Sequence, residues 1–440
     1  MYRKARCVVL VSLLIGCSSG LTVTHEQDEL FKSGLSKEKT EDYEGAIATF
    51  TQVVASNPSY GEAYYQRARA KYKSQDRKGA LVDVEQAIGL GYKTAEAYNL
   101  RGLAKRNLGD YPGAITDYTQ ALTINPDVAF PYINRGVAKG HLGDHRGAIE
   151  DATQSISLDP KSADAYNNRG EEKRELGDLP GALTDLTQAL MLNPRLAPAY
   201  GNRALVKGQM KDYKGAVDDA TQAINLGYGA ARSYDIRGMA KEHLGDYPGA
   251  IADYTQALTI DPSFAPSFSN RARMKGKLGD LKGAVDDATQ AIAIDPKNVS
   301  AYLTRCVTKL ELGDLQGALS DATQAITTGP KDDERKWAYS LRGYGKFRLG
   351  DYTGAIQDFS EQLQHSSDDS GTYFLRGLAK MQTHDYQGAN HDLSEAIGRM
   401  PNFAAAYFIR STVRRELGDF QGADEDLRKA ISLLRAITLA

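Results

Sequence analysis

The chain is poor in the residues that catalysis and metal binding need. Its 440 residues include seven His, three Cys and a single Trp. Three cysteines cannot build a disulfide framework. His25, His141, His145, His243, His365, His384 and His391 stand at no ligand spacing with cysteines or carboxylates. His141 and His145 are parted by the turn signal Gly143-Asp144, so no metal site is expected there. No phosphate-cradling glycine loop and no dinucleotide fingerprint occurs, and no cofactor is expected. A surplus of one charge is missing too: 54 basic against 56 acidic residues leave −2, with no basic footprint for nucleic acid. With no nucleophile or acid/base constellation in view, an enzyme is not expected. What is abundant is glycine, 42 residues against 14 prolines, with no Gly/Ser tract to absorb it. The glycines therefore serve particular positions.

Long apolar runs are also scarce. One stands at the start, Val8 to Ile15, behind the basic residues Arg3, Lys4 and Arg6. Roughly 20 apolar residues are needed to span a bilayer, so this run reads as a signal peptide. It ends in Leu14-Ile15-Gly16-Cys17, which resembles the lipobox of bacterial lipoproteins. The resemblance implies cleavage before Cys17 and lipid on its sulfur and amine. The bland alternative is a secretory signal with a coincidental cysteine. Each buried CH₂ contributes about 0.8 kcal/mol, so two or more acyl chains would anchor the protein stably. Ser18, following the cysteine, implies by the same resemblance an outer membrane, facing the periplasm, in double-membraned bacteria. Residues 18–27 read as a tether reaching roughly 35 Å at most.

The rest of the chain repeats itself. "GDYPGAI" occurs at 109–115 and again at 245–251. Aligned on its Gly-Ala, the turn glycine recurs at Gly45, Gly79, Gly113, Gly147, Gly181, Gly215, Gly249, Gly283, Gly317, Gly354, Gly388 and Gly422. The spacing is 34 residues throughout, apart from 37 between Gly317 and Gly354. Asp stands three residues before the glycine every time, where its carboxylate can cap a helix start. Eight of the twelve units put Gly just before that Asp, which suits the left-handed exit of a preceding helix. Pro112, Pro180 and Pro248 fall in the first turn, where no N–H is missed. Each unit therefore reads as two antiparallel helices, and the repeated phrase as the joint between them. The fold class is all-α, a solenoid of twelve antiparallel helix pairs.

Residues 95–126 carry Tyr98, small residues at Gly102, Ala114 and Ala121, Tyr118 and Pro126, and so resemble the tetratricopeptide repeat (TPR). The resemblance extends over about 28–434 and implies a TPR superhelix. Residues 1–16 are then signal peptide, 17–27 lipidated cysteine and tether, and 435–440 a tail. Two features depart from the pattern. Eleven units carry Arg twelve residues before the turn glycine, from Arg67 to Arg410, where the family has an apolar residue. Eleven carry Asp four after it, from Asp83 to Asp426. The first unit lacks both, with Ser33 and Thr49, which suggests that Arg and Asp pair within each repeat. A capping repeat that simply differs is the alternative. Cys306 fills the slot of Gly102 and reads as a small packing residue.

In the TPR family the first helix of each pair lines a concave groove. The corresponding positions are polar in most units, but in the C-terminal ones they hold Leu303, Val307, Leu310, Trp337, Tyr344, Phe347, Phe374, Leu378, Met381 and Phe408. These form the candidate partner-binding groove, unless local packing or the tail "AISLLRAITLA" covers them. The extra residues in 327–340 are expected to bend or open the array there. The expected function is a lipid-anchored scaffold or assembly adaptor of the bacterial envelope, binding a segment of another envelope protein. A component that binds glycan or peptidoglycan fragments through aromatic groove residues is the second reading.

Overall fold

The computed structural model describes residues 25–329, 331–365 and 368–438; Cys17 and the signal segment lie outside them. Among the described residues all elements are helices. The chain divides into two compact units at Met210 and Lys211. The first unit contains α1 (His25–Lys39), α2 (Tyr43–Ser56), α3 (Gly61–Lys73), α4 (Arg77–Gly89), α5 (Ala95–Asn107), α6 (Tyr111–Ile124), α7 (Ala129–His141), α8 (His145–Leu158), α9 (Ala163–Glu175), α10 (Leu179–Leu192) and α11 (Ala197–Gln209). The second contains α12 (Tyr213–Asn225), α13 (Ala230–His243), α14 (Tyr247–Ile260), α15 (Ala265–Lys277), α16 (Leu281–Ile294), α17 (Val299–Leu312), α18 (Leu315–Thr327), α19 (Asp332–Arg348), α20 (Tyr352–His365), α21 (Ser370–Gln382), α22 (Tyr386–Arg399), α23 (Ala404–Glu416) and α24 (Phe420–Thr438). The fold is the all-α solenoid of paired helices, two helices to each of the twelve sequence repeats.

The joint owes its shape to one aspartate used twice. In repeat three, Gly109 adopts φ +86° after Leu108. Its N–H reaches Arg106 O at 3.0 Å, and the Asp110 N–H reaches Lys105 O at 3.0 Å. That is the Schellman closure of α5, which satisfies its last carbonyls. The Asp110 side chain then caps α6, accepting from the Gly113 N–H at 2.9 Å. The turn glycine is needed because that carboxylate fills its side-chain space: a Cβ on Gly113 would lie 2.0 Å from Asp110 Oδ2. Four joints lack glycine at the left-handed position. Glu41, Gln75, Lys211 and His384 occupy it with φ of 62°, 72°, 66° and 62°.

Two boundaries differ from the sequence reading, and the insertion before repeat ten finds its place. α1 begins at His25, so 25–27 are helix, not tether. α24 runs to Thr438, carrying the helix into the tail. The extra residues before repeat ten lengthen its first helix: α19 has 17 residues where the other first helices have 13 to 15.

The Arg and Asp pair within the repeat. Asp253 of α14 accepts from Arg237 Nε at 3.0 Å and Nη2 at 2.7 Å, and Lys241 Nζ closes on it at 2.8 Å. Arg237 also donates to Thr221 Oγ1 of the preceding repeat at 3.2 Å and lies over the Tyr234 ring at 5.2 Å. The same bidentate pairing ties Arg67 to Asp83, Arg135 to Asp151, Arg305 to Asp321, Arg376 to Asp392 and Arg410 to Asp426. Asp253 is 5% exposed, so it leaves water only because three charged donors replace it. Burial pushes the Asp185 carboxyl up, but hydrogen bonds from Arg169 and Lys173 outweigh it and hold the group below the usual range. In the first repeat, where Thr49 replaces the Asp, Lys37 Nζ bonds its hydroxyl at 2.8 Å.

Below this ladder the two helices meet at paired sizes. Gly102 faces Tyr118 and Gly238 faces Tyr254, each so close that a Cβ would lie 2.6 Å from the ring. Where the partner is only Ala322, the slot holds Cys306, fully buried. Burial pushes that thiol up to about 12, so it is a packing group and not a nucleophile.

Two outcomes follow for stability. Asp253→Ala and Arg237→Ala should each destabilise by about 3–5 kcal/mol, because each strands a buried charge, and the double mutant should cost far less than the sum. Urea unfolding of the four chains reads this, and additive losses would rule out the pairing. Gln75→Gly and His384→Gly should each stabilise by about 1 kcal/mol by relieving left-handed backbone. A lowered melting temperature in either would refute that account.

Candidate functional site

Within each unit the first helices of successive repeats touch one another: α3, α5 and α7 in the first, α15, α17 and α19 in the second. Among the described residues, second helices of successive repeats do not. The first-helix side is therefore the inner, crowded face of each unit, as helix-pair stacking requires. Polar rungs cross it. Asn134 donates to Asn99 at 3.1 Å and Asn202 to Asn167 at 3.1 Å. Asp235, 5% exposed, accepts from Ser267 at 2.7 Å and Asn270 at 3.2 Å. Burial pushes its carboxyl up, against those two hydrogen bonds.

The structure separates the ten expected groove residues. Leu303, Val307 and Trp337 come together around a cavity of about 540 Å³. Trp337 stands at its edge, 55% exposed. Arg273 and Lys277 of α15, Glu311 of α17, and Asp333 with Glu334 of α19 also line it. The last two residues lie on the added turn of α19. Five others turn inward. Leu310 is buried and Tyr344 half-buried around Cys306. Phe347 meets Tyr352 edge-on at 5.4 Å, and Phe374 packs on Phe403 at 4.8 Å, with Met381 in the same cluster. Leu378 is half-buried, whereas Phe408 is 52% exposed and stands apart from the cavity.

A second cavity, of about 340 Å³, was not foreseen from the sequence. It lies in the first unit, between Tyr65, Leu103 and Phe130, with Arg69 and Lys73 on one wall. Phe130 is 70% exposed. A signal existed: seventeen residues before the turn glycine, the twelve repeats carry an aromatic only at Phe130 and Trp337.

The histidines serve local roles. His141 stacks on Tyr111 at 4.6 Å, and His145 Nδ1 meets Glu172 Oε2 at 2.7 Å. Burial pushes the Glu172 carboxyl up, opposed by that contact. Among the described residues no group of His, Cys, Asp and Glu is placed to hold a metal ion. No described helix is long and apolar enough to cross a membrane.

Comparison with known proteins agrees with this architecture. Models of the tetratricopeptide repeat match residues 31–81, 95–128, 131–162, 231–264 and 374–436. A chain in the crystal structure of the APC/C hetero-tetramer Cut9–Hcn1 aligns over 96% of this chain and 95% of its own, at 14% identity and a TM-score of 0.50. A tetratricopeptide repeat protein from Parabacteroides merdae aligns over 56% of this chain and 98% of its own, at 20% identity and a TM-score of 0.47. No curated protein matches the chain. Those five stretches thus carry tetratricopeptide repeats. Such repeats generally mediate protein–protein interactions and are typically non-catalytic scaffolds.

The two kinds of groove residue should respond oppositely to truncation. Phe374→Ala should destabilise by about 2–3 kcal/mol, because it opens a packed seam. Trp337→Ala should leave the melting temperature within about a degree, since its ring already faces solvent. Thermal unfolding distinguishes them; equal losses would place Trp337 in the core.

Proposed function

We propose that the chain is a lipid-anchored repeat scaffold of the bacterial envelope, holding a segment of another envelope protein against its inner face. The observation that carries the reading is the exposed Trp337 beside the cavity over Leu303 and Val307. A large aromatic kept half in water at the rim of a concave apolar pocket is the usual anchor of a protein interface. The aliphatic floor of Leu303 and Val307 supports an apolar side chain of a protein segment as the occupant, in preference to a glycan fragment. The anchor rests on the sequence: basic n-region, short apolar run, and Leu14-Ile15-Gly16-Cys17. Lipid on Cys17 would keep the repeats near the membrane, facing the periplasm in a double-membraned cell.

The test is crosslinking in native envelopes, followed by purification of the intact chain, its Trp337→Ala form and its Cys17→Ser form. Specific partners should be lost with Trp337→Ala, and Cys17→Ser should release the chain from the membrane fraction. Partners unchanged by Trp337→Ala would move the docking site elsewhere. Membrane retention of Cys17→Ser would end the lipoprotein reading.

A further inference from the structure

The two cavities share one plan on their basic side, in their floor and in their aromatic. Arg69 and Arg273 each stand ten residues before their turn glycine, and no other repeat has Arg there. Both arginines are held alike. Arg69 pairs with Glu38 of the preceding repeat at 3.0 Å and donates to Gln66 at 2.7 Å. Arg273 pairs with Glu242 of the preceding repeat at 2.8 Å and donates to Asn270 at 3.0 Å. Glu38 corresponds to Glu242 in the repeat register, and Gln66 to Asn270. One turn further on, Lys73 and Lys277 extend each basic wall. The next repeat supplies an aliphatic floor, Leu103 or Val307, and the repeat after that the exposed aromatic, Phe130 or Trp337. The helix that supplies the floor also brings an acid to each cavity, from a different position: Glu96 stands seventeen residues before its turn glycine and Glu311 six before.

The arginines are already paired, Arg69 with Glu38 and Arg273 with Glu242, so the charge left for a partner lies mainly on the lysines and acids beside them. Among the described residues Lys73, Glu96 and Glu311 make no ion pair, and Lys277 approaches Glu242 only at 3.7 Å. Exposed charges that flank an apolar pocket select a partner more than they stabilise the fold. We propose that both pockets receive the same short motif of a protein partner: a large apolar side chain with an acidic neighbour on one side and a basic neighbour on the other. The apolar group fills the space between floor and aromatic. The acid meets the Arg–Lys wall, and the base meets Glu96 or Glu311. Each chain then offers two sites of this plan, one per unit. This rests on the protein-binding reading above and specifies its partner.

The test uses the full chain and short peptides capped at both ends, with Glu-Phe-Lys in a Gly/Ser context. Comparison peptides carry Glu-Ala-Lys, Glu-Phe-Glu or Lys-Phe-Lys at the centre. Binding is followed by anisotropy of a labelled peptide and, at the second pocket, by emission of Trp337, the only tryptophan. Glu-Phe-Lys should bind at two sites per chain and shift Trp337 emission to the blue. The Ala form should bind about tenfold more weakly, and both like-charged forms should be weaker than Glu-Phe-Lys. Lys73→Glu with Phe130→Ala should remove one site and leave the Trp337 response, while Lys277→Glu should abolish that response. No saturable binding of Glu-Phe-Lys at millimolar concentration, one site per chain, or equal binding of the like-charged forms would each overturn the proposal. Should the peptides fail while Trp337→Ala still releases crosslinked partners, the motif is wrong and the protein-binding reading stands.

Discussion

One buried carboxylate in each repeat after the first governs the rest of the architecture. Asp253 and its counterparts are buried between the two helices of their repeat, and they draw an Arg, a Lys and an aromatic ring around themselves. The Arg fork has a donor to spare, and it spends that donor on the hydroxyl of the preceding repeat. A single guanidinium thus ties helix to helix and repeat to repeat, which a point-charge Lys could not do. Leaving any member unpaired would bury a charge, so the group holds its register as a unit.

That arrangement frees the inner face. With the ladder and the small-to-large contacts between Gly102 and Tyr118, or Cys306 and Ala322, setting the helix spacing, first-helix residues on the exposed side can vary without endangering the fold. Most became polar rungs, such as Asn134 on Asn99. In two places the same register carries Arg, Lys and an aromatic, and there the surface opens into a cavity. The added turn of α19 deepens the difference between the two, since it brings Asp333 and Glu334 to the second cavity alone.

Much of this was legible in the residues. The joint was, because Asp and Gly recur at a strict offset and each has a local reason: the carboxylate caps the helix and occupies the space a Cβ would need. The Arg–Asp pairing was legible from its joint loss in the first repeat, where Lys37 and Thr49 meet in its place. The candidate site was legible only in part. Leu310, Tyr344, Phe347, Phe374 and Met381 belong to the same expected groove face as Trp337, yet they turn to seams between neighbouring helices. Register names the face of a helix, but coverage depends on what the next repeat presents. Phe130 shows the reverse: it was passed over among polar neighbours, yet it stands more exposed than Trp337.

By itself, the sequence determined the helix pairs, their boundaries within a few residues and the charged ladder, because capping, left-handed exits and paired charges act over a few residues or one repeat. Tertiary structure decided what the insertion before repeat ten became, an extra turn on α19. It also decided which apolar side chains remain in water and which positions from three consecutive repeats enclose a cavity. Those outcomes depend on side chains some 34 residues apart meeting in space, and no local rule along the chain contains that distance.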